Sequence, residues 1–327
     1  MVVKEKELDG QDLKRMLESA KLCLEQHIDE VNALNVFPVP DGDTGINMFL
    51  TMESAVEAVN KLGNASATAV ADSAARGALF GARGNSGVIL SQILRGIAKG
   101  IQERKSFSTL DFANALHIAS EEAYKVVAEP VEGTILTAIR EAAEAASRAA
   151  ERGVSFAHTI TSVVSRTKKT VEKTPEMLPL LKEAGVVDAG AKGLYYVFEG
   201  MKDSICRKQP VRRMAKKLPS KISSTKQKEK VYGFDVQFMI QGQNLPVEEI
   251  RNAVIAAGEC PIAVGDENLL RVHVHTMTPD DILKYARTKG EVIDIVVEDM
   301  DLQVQGKAKK GGSKSALRKR HNERASK

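Results

Sequence analysis

Residues 38–47 have the sequence PVPDGDTGIN, and apolar residues follow them at helical spacing, at Phe49, Met52, Val56 and Val59. A second Gly-rich segment, GARGNSG at 81–87, precedes apolar residues at i+4 steps, at Ile89, Ile93, Ile97 and Ile101. Each segment therefore predicts a loop that opens a helix. Further helices are predicted at 8–33, 68–79, 109–128, 133–152, 155–173 and 190–206. Residues 1–206 are thus expected to form a mainly α domain of eight helices.

The hydrophobic period changes after a basic segment at 207–230, which we interpret as a linker. The following residues predict a strand, a helix, two strands, a helix and a strand, at 231–240, 247–257, 262–264, 269–276, 280–288 and 292–297. The order βαββαβ is typical of a split βαβ fold, in which the first and third strands are neighbours. We expect a small α+β domain at 231–305 and a disordered basic tail at 306–327.

The composition restricts the class of protein. A chain of 327 residues is long enough for two domains. Its net charge of +4 conceals basic segments at 207–230 and 306–327, so the rest is acidic and a specific nucleic-acid-binding fold is not expected. The three cysteines form no CxxC pair, and no apolar run approaches the roughly 20 residues of a transmembrane helix. The sequence predicts a cytoplasmic protein without a transmembrane segment.

The first Gly-rich segment carries two carboxylates close to a helix start. Gly42 permits a sharp bend between Asp41 and Asp43, and Gly45 permits a close backbone approach at the helix N-terminus, which attracts anions. Carboxylate oxygens suit Mg²⁺, which commonly bridges protein carboxylates and substrate phosphates. The segment therefore favours a site for metal and phosphate. A calcium loop or a simple capped turn remains open from these residues alone.

The second Gly-rich segment has the composition of a phosphate-binding loop. Its three glycines allow backbone N–H groups to converge, Ser86 is a candidate N-cap, and Arg83 can reach a phosphate or stabilise transferred charge. It is neither a Walker A loop nor a Rossmann fingerprint, since no Gly-Lys-Ser/Thr follows and no strand precedes it. A plain connector between helices is the alternative.

Four motifs together resemble the catalytic subunit of bacterial fatty acid kinase. They are NALNVFPVPDGDTGINM at 32–48, GARGNSGVILSQ at 81–92, PVEGTILT at 130–137 and AGVVDAG at 184–190. The N-terminal domain of that family is similar to the ADP-binding L subunit of dihydroxyacetone kinase, an eight-helix α-barrel whose Asp-rich loop holds two Mg²⁺ ions. Full-length relatives carry a third domain, which is not expected in this chain.

The resemblance implies roles for individual residues. It makes Asp41 and Asp43 metal ligands, with Asn35 in the place of a third ligand, and it leaves Arg83 as the charge-stabilising group. It places the phosphates of ATP beside Thr44, Gly45, Asn47, Gly84, Asn85 and Ser86. Motif residues that line the nucleotide pocket are Thr134, Asp188 and Gly190, although Asp188 can instead cap the helix that follows it.

The second domain also resembles the middle domain of the family. His273 and His275 are expected on one face of a strand, and the strand order puts Asp235 on the neighbouring strand. Two imidazoles and a carboxylate can converge on Zn²⁺, which the resemblance implies for relatives that have a Cys in place of Asp235. Ordinary core or surface histidines are the alternative.

The activity implied is transfer of the ATP γ-phosphoryl group to a fatty acid carboxylate that a separate fatty-acid-binding protein presents. A homodimer through the middle domain is also expected. Two alternatives stay open. One is a dihydroxyacetone-type kinase subunit, which needs a partner presenting a small ketone. The other is a nucleotide-sensing interaction protein that binds ATP without productive docking of an acceptor.

Overall fold

The computed structural model describes residues 7–206 and 232–303. The predicted linker at 207–230 and the predicted tail at 306–327 lie outside the described residues. An N-terminal helical domain precedes the first gap, and a second domain that contains a sheet follows it.

The N-terminal domain is built from helices of very different lengths. They are α1 (Gly10–Glu25), α2 (Ile28–Ala33), α3 (Thr44–Asn60), α4 (Ala67–Gly81), α5 (Gly84–Gly100), α6 (Thr109–Lys125), α7 (Ile135–Glu151), α8 (Phe156–Met177), α9 (Pro179–Ala184) and α10 (Ala189–Cys206). A two-stranded antiparallel pair, β1 (Leu8–Asp9) with β2 (Ser106–Phe107), joins the start of α1 to the segment before α6.

The long helices form a closed ring. In the order α1, α3, α4, α5, α6, α7, α8 and α10, each packs against the next, and α10 returns to α1. Their shared core consists largely of Ala, Val, Leu and Ile side chains, which lets the helix axes approach closely. The predicted mainly α fold and eight-helix α-barrel are confirmed.

The prediction of a single helix at 8–33 is wrong. The chain turns at Gln26 and His27 and restarts as the short helix α2. His27 stacks on Tyr196 of α10 with ring centroids 3.8 Å apart, and its Nδ1 lies 2.7 Å from the carbonyl oxygen of Cys23. The backbone of His27 lies outside helical geometry, at φ −121 and ψ 13, and its ring is stacked on a distant helix, although the apolar spacing runs through it. The six-residue helix α9 was also missed, because one and a half turns give too little periodicity to recognise.

The second domain has the predicted βαββαβ order. Its elements are β3 (Phe234–Gln241), α11 (Val247–Ala257), β4 (Glu259–Gly265), β5 (Leu269–Thr276), α12 (Pro279–Arg287) and β6 (Glu291–Asp299). The sheet is antiparallel in the order β4-β5-β3-β6, so the first and third strands of the domain are neighbours as predicted.

The two faces of the sheet make different contacts. One face packs its apolar side chains against α11 and α12, chiefly through Val236, Phe238, Ile240, Val272 and Val274. On β4, Ile262 and Val264 instead join the buried apolar cluster of the N-terminal domain. The sheet is therefore docked on the barrel. Across 7–206 and 232–303, none of the helices combines the length and apolarity required to span a bilayer.

Candidate active site between the two domains

A cleft of about 720 Å³ lies where the sheet meets the barrel. The second domain contributes to its lining Asp235, His273 and His275, and the N-terminal domain contributes Asn35, Asp41, Asp43, Thr44, Asn47, Gly84, Asn85, Ser86, Thr134, Asp188 and Gly190. Residues predicted from four separate motifs thus meet in one cavity. Of the predicted site residues, Gly45 and Arg83 are not among those that line it.

Asn35 shapes the loop that carries the two aspartates. Its Nδ2 donates to the carbonyl oxygen of Val39 at 2.9 Å, and its Oδ1 accepts from the N–H groups of Gly42 and Asp43 at 3.0 and 3.2 Å. Both lone pairs of the amide oxygen are therefore engaged by the loop itself. This gives Asn35 a structural role in the loop, and the metal-ligand role that the resemblance implies for it stays a prediction.

The start of α3 is held by a residue outside it. Asn32 Oδ1 accepts from the N–H groups of Gly45 and Ile46 at 2.7 and 3.2 Å, which satisfies two amides of the first helical turn. A side chain at Gly45 would come within 2.5 Å of the Ile28 carbonyl oxygen. Gly45 is therefore required for packing against α2. The first turn of α3 lines the cleft through Thr44 and Asn47.

The carboxylate of Asp43 lies close to other acidic groups. Burial raises the pKa of Asp43, hydrogen bonds to Asp41 and Asn47 oppose this rise, and the charges of Asp235 and Glu298 add to it. Acidic groups from both domains thus surround one half-buried carboxylate. Such an arrangement favours a bound cation, because a cation removes the repulsion between the carboxylates.

The Gly-rich loop joins α4 to α5 and lies against α3. Gly84 has φ +57, and a side chain there would come within 2.5 Å of Asn47 Nδ2, so this position requires glycine. A side chain at Gly87 would come within 2.6 Å of Thr51 Oγ1. The helix α5 begins at Gly84 with Arg83 in the N-cap position, so the expectation that Ser86 is the N-cap is wrong.

Arg83 points to the second domain. Its Nη1 and Nη2 donate to the two carboxylate oxygens of Asp294 on β6, at 2.8 and 3.2 Å. The predicted charge-stabilising guanidinium is thus held in a bidentate ion pair across the domain boundary.

The far wall of the cleft consists of helix starts. Thr134 caps α7, since its Oγ1 accepts from Leu136 N, and Asp188 caps α10, since its Oδ1 accepts from Ala191 N at 2.6 Å. Burial raises the pKa of Asp188 to about 7, and the hydrogen bonds from Ala191, Ile135 and Gly190 only partly oppose it. The capping alternative for Asp188 is confirmed, and the residue also lines the cleft.

The second domain brings its three predicted metal ligands together. One candidate ligand atom from each of Asp235, His273 and His275 lies within 4.8 Å of the others, and all three residues are buried. Asp235 stands opposite His275 in the β3–β5 register. His273 Nδ1 lies 3.1 Å from Asp235 Oδ1, and Gln237 Nε2 donates to Asp235 Oδ2 at 2.6 Å. Burial would raise the pKa of Asp235, but His273 and His275 hold it below its ordinary value.

Two family models match the chain in succession. The model described as DAK2 domain matches residues 38–203, about half of the chain. The chain belongs to the DAK2 domain family. The model for the middle domain of FakA-like fatty acid kinase proteins matches residues 231–307. The barrel is therefore the DAK2 domain, and the domain that carries the sheet is the middle domain, as the sequence motifs predicted.

The relatives of this DAK2 protein include both named and uncharacterized proteins. It is 38% identical to protein YloV of Bacillus subtilis over 307 residues, which are 90% of this chain and 56% of YloV. It is 35% identical over 316 residues to an uncharacterized protein of Staphylococcus saprophyticus, covering 93% of this chain and 57% of that protein. The chain thus spans a little over half the length of the curated relatives it matches.

The motifs of the DAK2 and middle domains did not reveal Asn32, Gln237, Arg271 and Asp294 as residues that shape the site. Gln237, on β3, accepts from Gly84 N at 3.1 Å through its Oε1, and Arg271, on β5, donates to the Ala82 carbonyl oxygen at 2.6 Å. A signal for the strand residues existed, since polar residues at every second position mark a polar sheet face. No such signal marks Asp294, because it lies where the register of β3 and β6 shifts and the alternation of side chains is interrupted.

Proposed function

We propose that this chain is an ATP-dependent kinase that transfers the γ-phosphoryl group to a fatty acid carboxylate and forms an acyl phosphate. The observation that carries the proposal is the single cleft in which the Asp41-Asp43 loop and the Gly84–Ser86 segment face Asp235, His273 and His275. Nucleotide-binding and metal-binding groups from two domains are thereby directed at the same volume.

Asp41 and Asp43 are the groups that we assign to Mg²⁺. The half-buried Asp43 is surrounded by Asp41, Asp235 and Glu298, and this excess of negative charge fits a divalent cation. Bound Mg²⁺ would neutralise phosphate charge and align the γ-phosphoryl group for transfer. Thr44, Asn47 and the amides of Asn85 and Ser86 are positioned to contact the phosphates, while Thr134, Asp188 and Gly190 form the wall for the rest of the nucleotide.

The middle-domain cluster fits Zn²⁺. His273 Nε2 is buried and lacks a hydrogen-bond partner within the described part of the chain. A buried polar atom of this kind is expected to have a partner, and two imidazoles with a carboxylate are common zinc ligands. A bound Zn²⁺ would supply a Lewis acid for a substrate oxygen.

The proposed reaction requires no general base. An oxygen of the ionised fatty acid carboxylate attacks the γ-phosphorus, the bond from that phosphorus to the β,γ-bridging oxygen breaks, and ADP leaves with the electron pair. No proton moves in this step. The chain's contribution is therefore to position the nucleotide and to exclude water, which the burial of Asp188 and His273 beside the cleft supports.

The acyl substrate is proposed to arrive on a separate fatty-acid-binding protein. The match of residues 231–307 to the middle domain of FakA-like fatty acid kinase proteins supports this part of the proposal. A carrier protein would deliver the carboxylate at the mouth of the interdomain cleft, where the middle-domain residues meet the Asp41-Asp43 loop.

ATP-dependent acyl phosphate formation is the direct test. The purified chain is mixed with ATP, Mg²⁺ and oleate loaded on a bacterial fatty-acid-binding protein, and the acyl phosphate is trapped with hydroxylamine. We expect hydroxamate that requires the chain, ATP and the carrier protein. Reactions without the carrier, or with dihydroxyacetone in place of loaded oleate, are the controls.

The outcomes separate the alternatives. Phosphorylation of dihydroxyacetone would identify a small-ketone kinase. Binding of Mg-ATP, measured by calorimetry, without any product would contradict the proposed activity and favour a nucleotide-sensing protein. Absence of Mg-ATP binding would contradict the assignment of the cleft as a nucleotide-binding site.

A further inference from the structure

The middle-domain sheet presents a polar face to the DAK2 domain. Alternate residues of β3 and β5 point to this face, and they are Asp235, Gln237, Arg271, His273 and His275. Each of them is at most 7% exposed. Because buried polar groups require partners, this face depends on contacts that cross the domain boundary.

The carboxylate of Asp294 joins the two domains by charge. It accepts hydrogen bonds from Nη1 and Nη2 of Arg83 in the DAK2 domain, and one from Nη1 of Arg271 in the middle-domain sheet at 2.6 Å. Arg271 Nη2 donates in turn to the carbonyl oxygen of Ala82, at 2.6 Å. One carboxylate thus holds a guanidinium from each domain, next to the Gly-rich loop.

Arg271 has few other ways to satisfy its charge. Its side chain is fully buried, and its Nε lacks a hydrogen-bond partner within residues 7–206 and 232–303. Burial would raise the pKa of Asp294, but Arg83 and Arg271 hold it below its ordinary value. A buried cation that loses its counter-charge is strongly unfavourable, so Asp294 is the group on which the arrangement depends.

The backbone of β6 is shaped to present this carboxylate. The β3–β6 register shifts between Gln237 and Met239, whose partners on β6 are Val296 and Ile293. Asp294 lies within the resulting bulge at φ 51, in the left-handed region that residues other than glycine seldom adopt. A bulge re-aims a side chain, and here it directs Asp294 at Arg83 and Arg271.

A second contact links the loop to the cluster of Asp235, His273 and His275. Gly84 N donates to Gln237 Oε1 at 3.1 Å, and Gln237 Nε2 donates to Asp235 Oδ2 at 2.6 Å. Asp235 lies beside His273, and its charge acts on Asp43. The position of the Gly-rich loop is therefore coupled to the carboxylate that faces the Asp41-Asp43 loop.

We propose that Asp294 and Arg271 are positioning residues that dock the middle domain on the loop at 81–87 and thereby assemble the interdomain cleft. In this arrangement Arg83 serves the docking contact and does not touch the transferred phosphoryl group. The catalytic consequence rests on the proposed kinase activity, whereas docking is testable without it.

Hydrogen exchange of the full chain tests the docking. Asp294→Asn keeps the shape of the side chain but removes its charge, and we expect amide exchange at 82–87 to accelerate by at least about tenfold. Arg83→Gln removes the same contact from the DAK2 side and is expected to have the same effect without perturbing the middle-domain core. Glu249→Gln, which breaks the ion pair with Lys289 inside the middle domain, is the matched control.

Protection in α7 and α8 reports whether the barrel stays folded, and protection in β3 and β5 does the same for the sheet. Unchanged exchange at 82–87 in both Asp294→Asn and Arg83→Gln would overturn the docking proposal, whether or not the chain has kinase activity. Faster exchange confined to this loop, absent in Glu249→Gln, supports it.

Kinetics then distinguish positioning from direct catalysis by Arg83. We expect Asp294→Asn and Arg83→Gln each to lower kcat by about 10- to 100-fold, and the double variant to be no worse than Asp294→Asn, because both remove the Arg83–Asp294 pair and Asp294→Asn also removes the counter-charge of Arg271. KM for ATP should change by less than about threefold, since neither side chain lines the cleft. A much larger loss in Arg83→Gln, with effects that multiply in the double variant, would refute the docking role of Arg83.

Discussion

Asp43 is a half-buried acid held in an unfavourable electrostatic environment. Burial and the charges of Asp235 and Glu298 all raise its pKa, and only the contacts with Asp41 and Asn47 lower it. A residue in such surroundings contributes little to the stability of the ligand-free chain. We propose that its value lies in binding a cation, because the same charges that repel one another would attract Mg²⁺.

Asp43→Asn should therefore separate stability from function. We expect the melting temperature of the ligand-free variant to equal or exceed that of the wild type, since repulsion is relieved. Turnover should fall by roughly 100-fold or more, and Mg-ADP should no longer raise the melting temperature. Asp72→Asn, at an exposed position of α4, is the control and should leave both properties unchanged. Normal stabilisation of Asp43→Asn by Mg-ADP would contradict the metal assignment.

The zinc proposal is tested by the metal content of the purified chain. Protein prepared without chelators should contain about one zinc ion per chain, and His273→Ala and His275→Ala should each lose it, because three protein ligands hold the ion in the proposed site. His117→Ala is the control, since His117 is exposed on α6. Metal analysis that finds no zinc in the wild type would remove this site.

The raised pKa of Asp188 predicts that the stability of the folded chain depends on pH. Its pKa is raised to about 7 in the folded chain, against 3.8 for an ordinary aspartate. Between these values the folded state binds a proton that the unfolded state has lost, so the stability contributed by this group falls as pH rises toward 7 and is lowest above it. The effect is opposite to that of an ion-paired carboxylate.

Asp188→Asn should remove this dependence in the ligand-free chain. Compared with the wild type, its helical CD signal should melt at a higher temperature at pH 8 and at a similar or lower temperature at pH 4.5, because the amide carries no charge at either pH. The exposed Asp72→Asn should follow the wild type at both values. A difference in melting temperature that does not change with pH would show that Asp188 is ionised throughout.

At the scale of elements, close approach of helices keeps the barrel closed. The helix α5 contacts α6 through two glycines one turn apart, and a side chain at Gly96 or Gly100 would overlap the Cα atom of Ala119 or Ala115. These contacts are with backbone, which cannot move aside as a flexible side chain can. This close contact between α5 and α6 therefore fixes the position of α5, which begins at the Gly-rich loop.

Gly96→Ala should push α5 and α6 apart. Overpacking against the α6 backbone is expected to cost about 1–3 kcal/mol of unfolding free energy, seen as a lower melting temperature. Gly63→Ala is the matched control, because a side chain there would meet nothing within 4 Å. Equal stability of Gly96→Ala and the wild type would mean that the two helices separate easily.

At the scale of the whole molecule, the sheet ends in two edges. The outer strands are β4 and β6, and β6 exposes apolar side chains, with Ile295 40% and Val297 42% exposed. Unpaired edges with apolar residues favour association with another strand. The expected homodimer through the middle domain stays a prediction, and β6 is the surface we assign to it.

Light scattering coupled to size exclusion tests the dimer. The wild type should elute as a dimer, and Val297→Lys should shift it toward a monomer, since a lysine on an edge strand opposes pairing. Leu110→Lys, at an exposed apolar position of α6, is the control and should remain dimeric. A monomeric wild type would refute the prediction, and a dimeric Val297→Lys would place the interface elsewhere.

Local patterns in the sequence predicted most elements and many of the lining residues. Helical spacing located the long helices, the change of period located the middle domain, and the alternation in β5 put His273 and His275 on one face. These features depend on neighbouring residues, so they are legible along the chain. The helix break at His27 was not legible in this way, because it accompanies the stacking of His27 on Tyr196, a residue of α10 that is far away along the chain.

What the sequence by itself determined is the identity of the two domains and the chemistry of their motifs, because residue types at short spacing set the loops, helices and strands. Only the tertiary structure decided that Asp43 and Asp235 share one cleft, that Asn35 holds a loop, and that Arg83 pairs with Asp294. The physical reason is that these contacts depend on how the chain folds back on itself, and docking of the sheet on the barrel alone brings the two domains' residues within reach.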